Sequence, residues 1–287
     1  MFIFPESIRF EIKDIIDAIF EWVLVTFNDF FDVVADTIRM LFNLVELGLN
    51  YFPWWLMVIG VAYAGYKLYN YKMGILLSSM LVTIGLFGLW QEMIYTLAII
   101  IISVFVSVIV GIPFGILMAK SKVVENIIKP ILDAMQTMPS FVYLIPAIML
   151  FSFGKVPAVF ATTIYAIPPL IRLTFLGISS VDEEVVEAGK SFGSTPLQML
   201  FKIELPQSLS TIMTGVNQTT MMAMAMVVIS SMIGAEGIGQ IVLDAIDNLE
   251  VGQGFQAGFA IVFLAIILDR LLQGFANTFD KGVSQDA

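Results

Sequence analysis

Apolar residues dominate the chain from residue 54 to 275 and are interrupted only by short polar joints. A helix that crosses a bilayer needs about 20 mostly apolar residues. Seven runs approach that length, at 54–70, 73–91, 94–118, 138–153, 156–178, 211–233 and 255–275. The fourth is short, so it is expected either to tilt little or to be partly re-entrant. Upstream the pattern changes. Ile8, Ile12, Ile15, Ile16, Ile19, Phe20, Val23, Leu24 and Phe27 recur at helical spacing, and Glu11, Asp14, Asp17 and Glu21 take the other face. A second stripe runs through Phe31, Val34, Ile38, Leu41, Phe42 and Val45. Amphipathic helices of this kind lie in the membrane interface or brace a bundle, and a sensory or partner-docking role is the alternative.

The pattern predicts an all-α polytopic membrane protein of about seven transmembrane helices behind an amphipathic leader. Residues 1–53 form the leader, 54–91 two peripheral spans, 92–275 the core and 276–287 a cytoplasmic tail. One polar stretch, 179–210, interrupts the core and is long for a mere connection.

Composition agrees. Hydrophobic residues make up 59% of the 287 and charged ones only 13%, against about 25% charged in soluble domains. The chain has no His and no Cys, which removes the usual zinc sites, disulfides, thiol nucleophiles and Ser-His-Asp triads. A net charge of −10 argues against a nucleic-acid partner. Glu6 stands where a signal peptide would carry positive charge, so no such peptide is expected.

Charge placement sets the expected orientation. With the N-terminus outside, only Arg9, Lys13, Arg39 and Lys155 of the fourteen basic residues fall on the outer side. Trp54, Trp55 and Trp90 then sit at outer span ends and Trp22 in the outer leader, where indole rings collect. A multi-pass protein of a prokaryotic cytoplasmic membrane, N-terminus out and C-terminus in, is the expectation.

In the polar stretch, Ser180-Val-Asp-Glu183 fits a capping box at a helix start. That helix should weaken at Gly189 and turn at Gly193. Thr195-Pro196 reads as an N-cap followed by proline at the first helical position, and the second helix should stop before Pro206. Val185, Leu197, Met199, Leu200 and Phe201 are the apolar residues this corner could present.

These residues resemble the cytoplasmic signature of permease subunits of ABC-type importers, which runs Glu-Ala-Ala, three residues, Gly, nine residues, Ile-x-Leu-Pro. Here it reads Glu187-Ala188-Gly189, Gly193, then Ile203-Glu204-Leu205-Pro206, with Gly189 as the one departure. The stretches Met135–Pro146, Ser191–Gly193, Gly215–Thr219 and Ile266–Arg270 are similar to permeases for glycine betaine and proline betaine, over roughly residues 75–275. The resemblance implies a non-catalytic subunit, paired with a second permease copy and embedded in membrane lipid. ABC ATPase subunits would carry ATP and Mg, and an extracytoplasmic substrate-binding protein would deliver the osmolyte. It also implies an ATPase-coupling role for Glu187, Ala188, Gly189, Gly193, Ile203, Leu205 and Pro206. Choline, carnitine or another small amine is the alternative cargo.

For the translocation path, Asn217, Thr220, Met221 and Met224 of the sixth run are candidates, because polar atoms and adaptable Met side chains share one helical stripe. Tyr143 is a candidate as well. A quaternary ammonium favours aromatic faces, and Phe141, Tyr143, Phe151, Phe153 and Tyr165 are the rings available in the fourth and fifth runs. Two other classes fit less well. A secondary transporter would place carboxylates within its spans, whereas Glu92, Arg172, Asp269 and Arg270 lie near span ends. A membrane scaffold has no need of the spaced Gly and Ile-x-Leu-Pro. The glycines at 60–65 and 252–254 imitate nucleotide motifs, but without their strand or Gly-Lys-Ser/Thr contexts.

Overall fold

The computed structural model describes residues 12–283, with side chains through residue 278. Ile8 and Glu11 of the first expected amphipathic helix, Arg9 of the outer basic residues, and the last residues of the expected tail lie outside the described residues. Among the described residues all regular structure is helical. Helix α1 (Lys13–Thr26) buries none of its side chains, whereas α2 (Asn28–Tyr51) seats Ala35, Ile38 and Phe42 on the bundle. Pro53 ends α2, since the residue before a proline is driven from the helical region. Phe52 is extended, with φ −80° and ψ 125°, and α3 (Trp54–Leu68) leaves at 91° to α2.

Helices α3 and α4 (Tyr71–Leu86) form a tight hairpin. Asn70 caps α4 by accepting from the Met73 N–H at 2.9 Å. A Cβ on Gly65 would come within 2.9 Å of the Gly74 Cα, so the two backbones touch there. Gly88, at φ +76°, reverses the chain and separates α4 from α5 (Trp90–Lys120). The second expected run, 73–91, is therefore divided. Its last two residues, Trp90 and Gln91, open α5, whose 31 residues reach about 46 Å.

Helix α6 (Lys122–Thr137) follows, with Ser121 as its N-cap. At Met138-Pro139 the chain turns by 112° into a 3-10 turn, Ser140–Tyr143, and then α7 (Leu144–Phe151). The fourth expected run is thus the short second limb of a broken helix. After it come α8 (Lys155–Ser179), α9 (Glu183–Ser191), α10 (Pro196–Met199) and α11 (Leu205–Ser230), then α12 (Ile238–Asp247) and α13 (Val251–Val283). Gly252 and Gly254 lie inside α13, and Gly60 and Gly65 inside α3. Four helical segments are individually long and apolar enough to cross a membrane: 90–120, 155–179, 196–233 and 251–278. The count rises to six if each of the two bent pairs is one span.

Close backbone approach builds the core of α5, α8 and α11. Without water to satisfy it, each helix keeps its hydrogen bonds internal, and packing supplies the association. Gly111 and Gly115 of α5 receive Leu170 and Thr174 of α8. Gly215 of α11 meets Leu170 and Leu173, and Gly177 of α8 meets Ser208 and Thr211. At the opposite end from α9 and α10, the Gly154 N–H donates to the Ile233 carbonyl at 2.9 Å. Helix α2 joins this core through Phe42, whose ring lies 4.8 Å from that of Tyr95 and 4.5 Å from the Lys155 ammonium.

Candidate functional site

The polar corner between α8 and α11 is built from local signals. Asp182 caps α9 by accepting from the Glu184 N–H at 2.9 Å. This corrects the expected Ser180 box: the Ser180 hydroxyl instead donates to the Gly177 carbonyl at 3.2 Å, closing α8 behind it. The acid lies two residues nearer the helix, where an Asx cap reaches the first free N–H. Gly193 adopts φ +77°, the left-handed conformation expected for a helix C′ glycine, and its N–H donates to the Lys190 carbonyl. Thr195 and Gln198 exchange hydrogen bonds of 3.3 and 2.9 Å in a full capping box, with Pro196 at the first helical position.

The second helix does not stop before Pro206 as expected. Residues Leu200–Glu204 form a π-helical turn that carries α10 into α11 without a break. Proline lacks an N–H and crowds the preceding turn; here it stands among the first helical positions of α11, directly after the π turn.

Side chains sort accordingly. Glu187 and Ala188 are exposed on α9. Gly189 is buried, and a Cβ there would fall 2.7 Å from Ile203 Cδ1 and 2.8 Å from Met199 Cε. Gly189 and Ile203 thereby join the two arms of the corner. Leu205 is half-buried and Pro206 exposed at the start of α11. Of the apolar residues the corner was expected to present, Leu197 (68% exposed) and Phe201 (63%) point outward and Val185 is half-buried, but Met199 and Leu200 face the interior. Phe192, which sequence reasoning passed over, is 92% exposed. Its signal was a lone aromatic immediately before the turn glycine. Glu204 was missed too. Its side chain is buried and paired with Lys120, the last residue of α5. A single acid between Ile203 and Leu205 was the available clue.

Arg172 of α8 pairs with Asp133 of α6, and the Lys129 ammonium lies 5.4 Å from the Phe175 ring. At the same end, Tyr69 donates to the Arg270 carbonyl at 3.0 Å.

The path candidates on α11 lie along one stripe. Asn217 donates to Asp269 Oδ1 of α13 at 2.9 Å, while its own carbonyl oxygen is buried and unpartnered. Thr220 is buried and bonds back to the Val216 carbonyl at 2.9 Å. Met221 is half-buried, and Met224 sits in the central apolar cluster. Tyr143 belongs to a different cluster with Leu144, Ala147, Ala161, Met226 and Ile233, and its hydroxyl donates to the Met135 carbonyl at 2.5 Å. The five candidate rings do not converge. Tyr143 meets Tyr165 edge-on at 5.7 Å, Phe151 meets Phe160 and Phe31, and Phe141 and Phe153 point outward.

Comparison with known proteins places this architecture. The family model described as "binding-protein-dependent transport system inner membrane component" matches residues 111–285. A glycine betaine transport system permease protein of Bacillus subtilis is 43% identical over 92% of this chain and 94% of its own. A glycine betaine/carnitine transport permease protein of Listeria monocytogenes is 44% identical over 88% and 91%. A glycine betaine/proline betaine transport system permease protein of Escherichia coli is 44% identical over 88% and 72%. Among solved structures, an inward-facing MetNI methionine ABC transporter superposes with a TM-score of 0.58, covering 68% of this chain and 95% of that chain at 22% identity. That likeness concerns the fold. The chain belongs to the binding-protein-dependent transport system inner membrane component family, as an ABC importer permease of the glycine betaine/proline betaine type.

Proposed function

We propose that this chain imports glycine betaine, proline betaine or a close osmolyte, and that the corner formed by α9 and α10 receives the drive from a separate ATPase. Support for the cargo comes from the three relatives, whose names share glycine betaine. The observation that carries the drive is the set of exposed apolar side chains Phe192, Leu197 and Phe201, set on a capped corner whose turn glycine is left-handed. Exposed aromatic and aliphatic residues on a rigid polar corner fit a hydrophobic groove on a partner.

In this reading α9 and α10 face the cytoplasm and the seven expected runs each cross the membrane, with α3 and α4 as a short peripheral hairpin and 138–153 as the return limb. Two copies stand side by side over two ATPase subunits. An extracytoplasmic binding protein delivers substrate at the end carrying Gly154 and Ile233. Glu187, Ala188, Gly189, Gly193, Ile203, Leu205 and Pro206 form the coupling element, and the Asn217–Met224 stripe with Tyr143 borders the path. Substrate loading and ATP turnover are then reciprocally linked.

Labelled glycine betaine uptake tests this directly, in proteoliposomes holding this chain, its ATPase and its binding protein with ATP enclosed. Accumulation should need all three. Binding-protein-stimulated ATPase activity with choline or carnitine but not betaine would reassign the cargo. Uptake that needed neither ATP nor a partner would overturn the reading.

A further inference from the structure

The buried acid at the base of the corner has a use that the capping and packing do not supply. Glu204 closes the π turn between α10 and α11, with a side-chain exposure of 7%. Its carboxylate accepts from the Lys120 ammonium. Among the described residues this is the only ion pair or side-chain hydrogen bond joining α5 to residues 180–204. Lys120 is 42% exposed and Glu204 is buried; an ion pair of this kind contributes little net stability, whereas removing Lys120 strands a buried carboxylate, so the value of the pair lies in fixing geometry. Lys120 is also well placed by itself, because a cation favours the negative end of a helix.

The two ends of the pair belong to different mechanical parts. Lys120 terminates α5, which presses on α8 through Gly111 and Gly115. Glu204 lies in the element that holds α9, where Gly189 packs on Met199 and Ile203. A π turn departs from α-helical hydrogen bonding and is found frequently at functional sites. Fixing Glu204 to α5 at that turn routes any displacement of the corner into α5 as well as along α11.

We propose that Lys120 and Glu204 form a latch that makes α5 move with the coupling corner, so that both are positioning residues for transport. The proposal rests on the corner docking to the ATPase, and the experiment separates the two claims. Phe192→Asp tests docking alone: loss of ATPase co-purification is expected, and retention would defeat the docking reading. The latch is tested in assembled complexes with Lys120→Met, Glu204→Gln and the exchange Lys120→Glu/Glu204→Lys. ATPase co-purification and basal hydrolysis should match the unmodified complex, while betaine taken up per ATP hydrolysed falls about tenfold in the single variants. The exchange should recover at least half of that ratio. Should a single variant fail to assemble, the paired Lys120→Met/Glu204→Gln change strands no buried charge, assembles, and should show the same loss. An unchanged uptake-to-hydrolysis ratio overturns the latch. So does a loss of uptake in the paired variant that merely follows a loss of assembled complex, since a purely structural role would produce that result.

Discussion

Replacing Gly193 separates backbone shape from side-chain contact more cleanly than any other change in the α9–α10 corner. The residue adopts φ +77°, yet a Cβ built on it meets nothing within 4 Å. Space is therefore no obstacle to a larger side chain; conformation is. Forcing an ordinary L-residue into the left-handed region costs about 1–2 kcal/mol, with β-branched residues at the unfavourable end and Asn tolerated. That corresponds to about a 5- to 30-fold reduction in the population of the formed turn. Uptake of betaine by reconstituted complexes should fall by a similar factor for Gly193→Val, less for Gly193→Ala and little for Gly193→Asn. The membrane-inserted yield of the permease should stay level throughout, because Gly193 is exposed and a side chain there meets nothing within 4 Å. Equal activity of the Val and Asn variants, whether both high or both low, would refute the conformational argument.

Three further outcomes follow from the geometry. Gly115→Val drives methyl groups into Thr174, whose Cβ would lie 2.5 Å from the first added carbon, and into the Ile171 carbonyl at 2.8 Å. Overpacking costs about 1–3 kcal/mol or more, so the thermal transition of the detergent-solubilised protein should drop markedly, and a transition within a degree of the parent would count against it. Thr195→Ala removes the hydroxyl half of the α10 cap and leaves the backbone N–H of residue 195 bonded to Gln198 Oε1, at a cost of about 1 kcal/mol, which should appear as faster amide exchange at Leu197–Met199 with α13 unaffected. Asn217→Leu deletes the only described side-chain bond between α11 and Asp269. Stability should fall by about 1–3 kcal/mol through the partly desolvated carboxylate, and Asn217→Asp should be worse than Leu because it sets two acids together.

The parts legible in the sequence were those governed by neighbours in the chain. Thr195-Pro196 and Gly193 announced a cap and a turn that depend only on local dihedrals and one side chain, and the structure forms both. Ser180 and Asp182 compete for the same role at nearly the same spacing, and the choice between them turned on where α8 ended. Pro206 read as a stop because a proline ordinarily ends a helix; the π turn that precedes it, Leu200–Glu204, carries no mark in residue type or hydropathy. Run 73–91 was misjudged in extent because hydropathy records how apolar a segment is, but not that Gly88 turns left-handed. The shortness of run 138–153 did point to an irregular segment, though not to the 112° bend at Met138-Pro139. The outward Phe192 and the inward Met199 and Leu200 could not be told apart by residue type alone.

The α8–α11 seam also constrains how the gene can change. Its contacts are stacked at three heights: Gly154 bonded to Ile233, Gly215 against Leu170 and Leu173, and Gly177 against Ser208 and Thr211. One residue added to α8 between the first and last of these would turn everything beyond it by about 100°, swinging Gly177 away from α11 and a bulkier neighbour into its place. Single-codon insertions and deletions should therefore be purged from 155–177 and 208–230 while point substitutions pass more freely. Length variation should collect instead in joints such as Leu249-Glu250, where the chain leaves one helix for the next in the open.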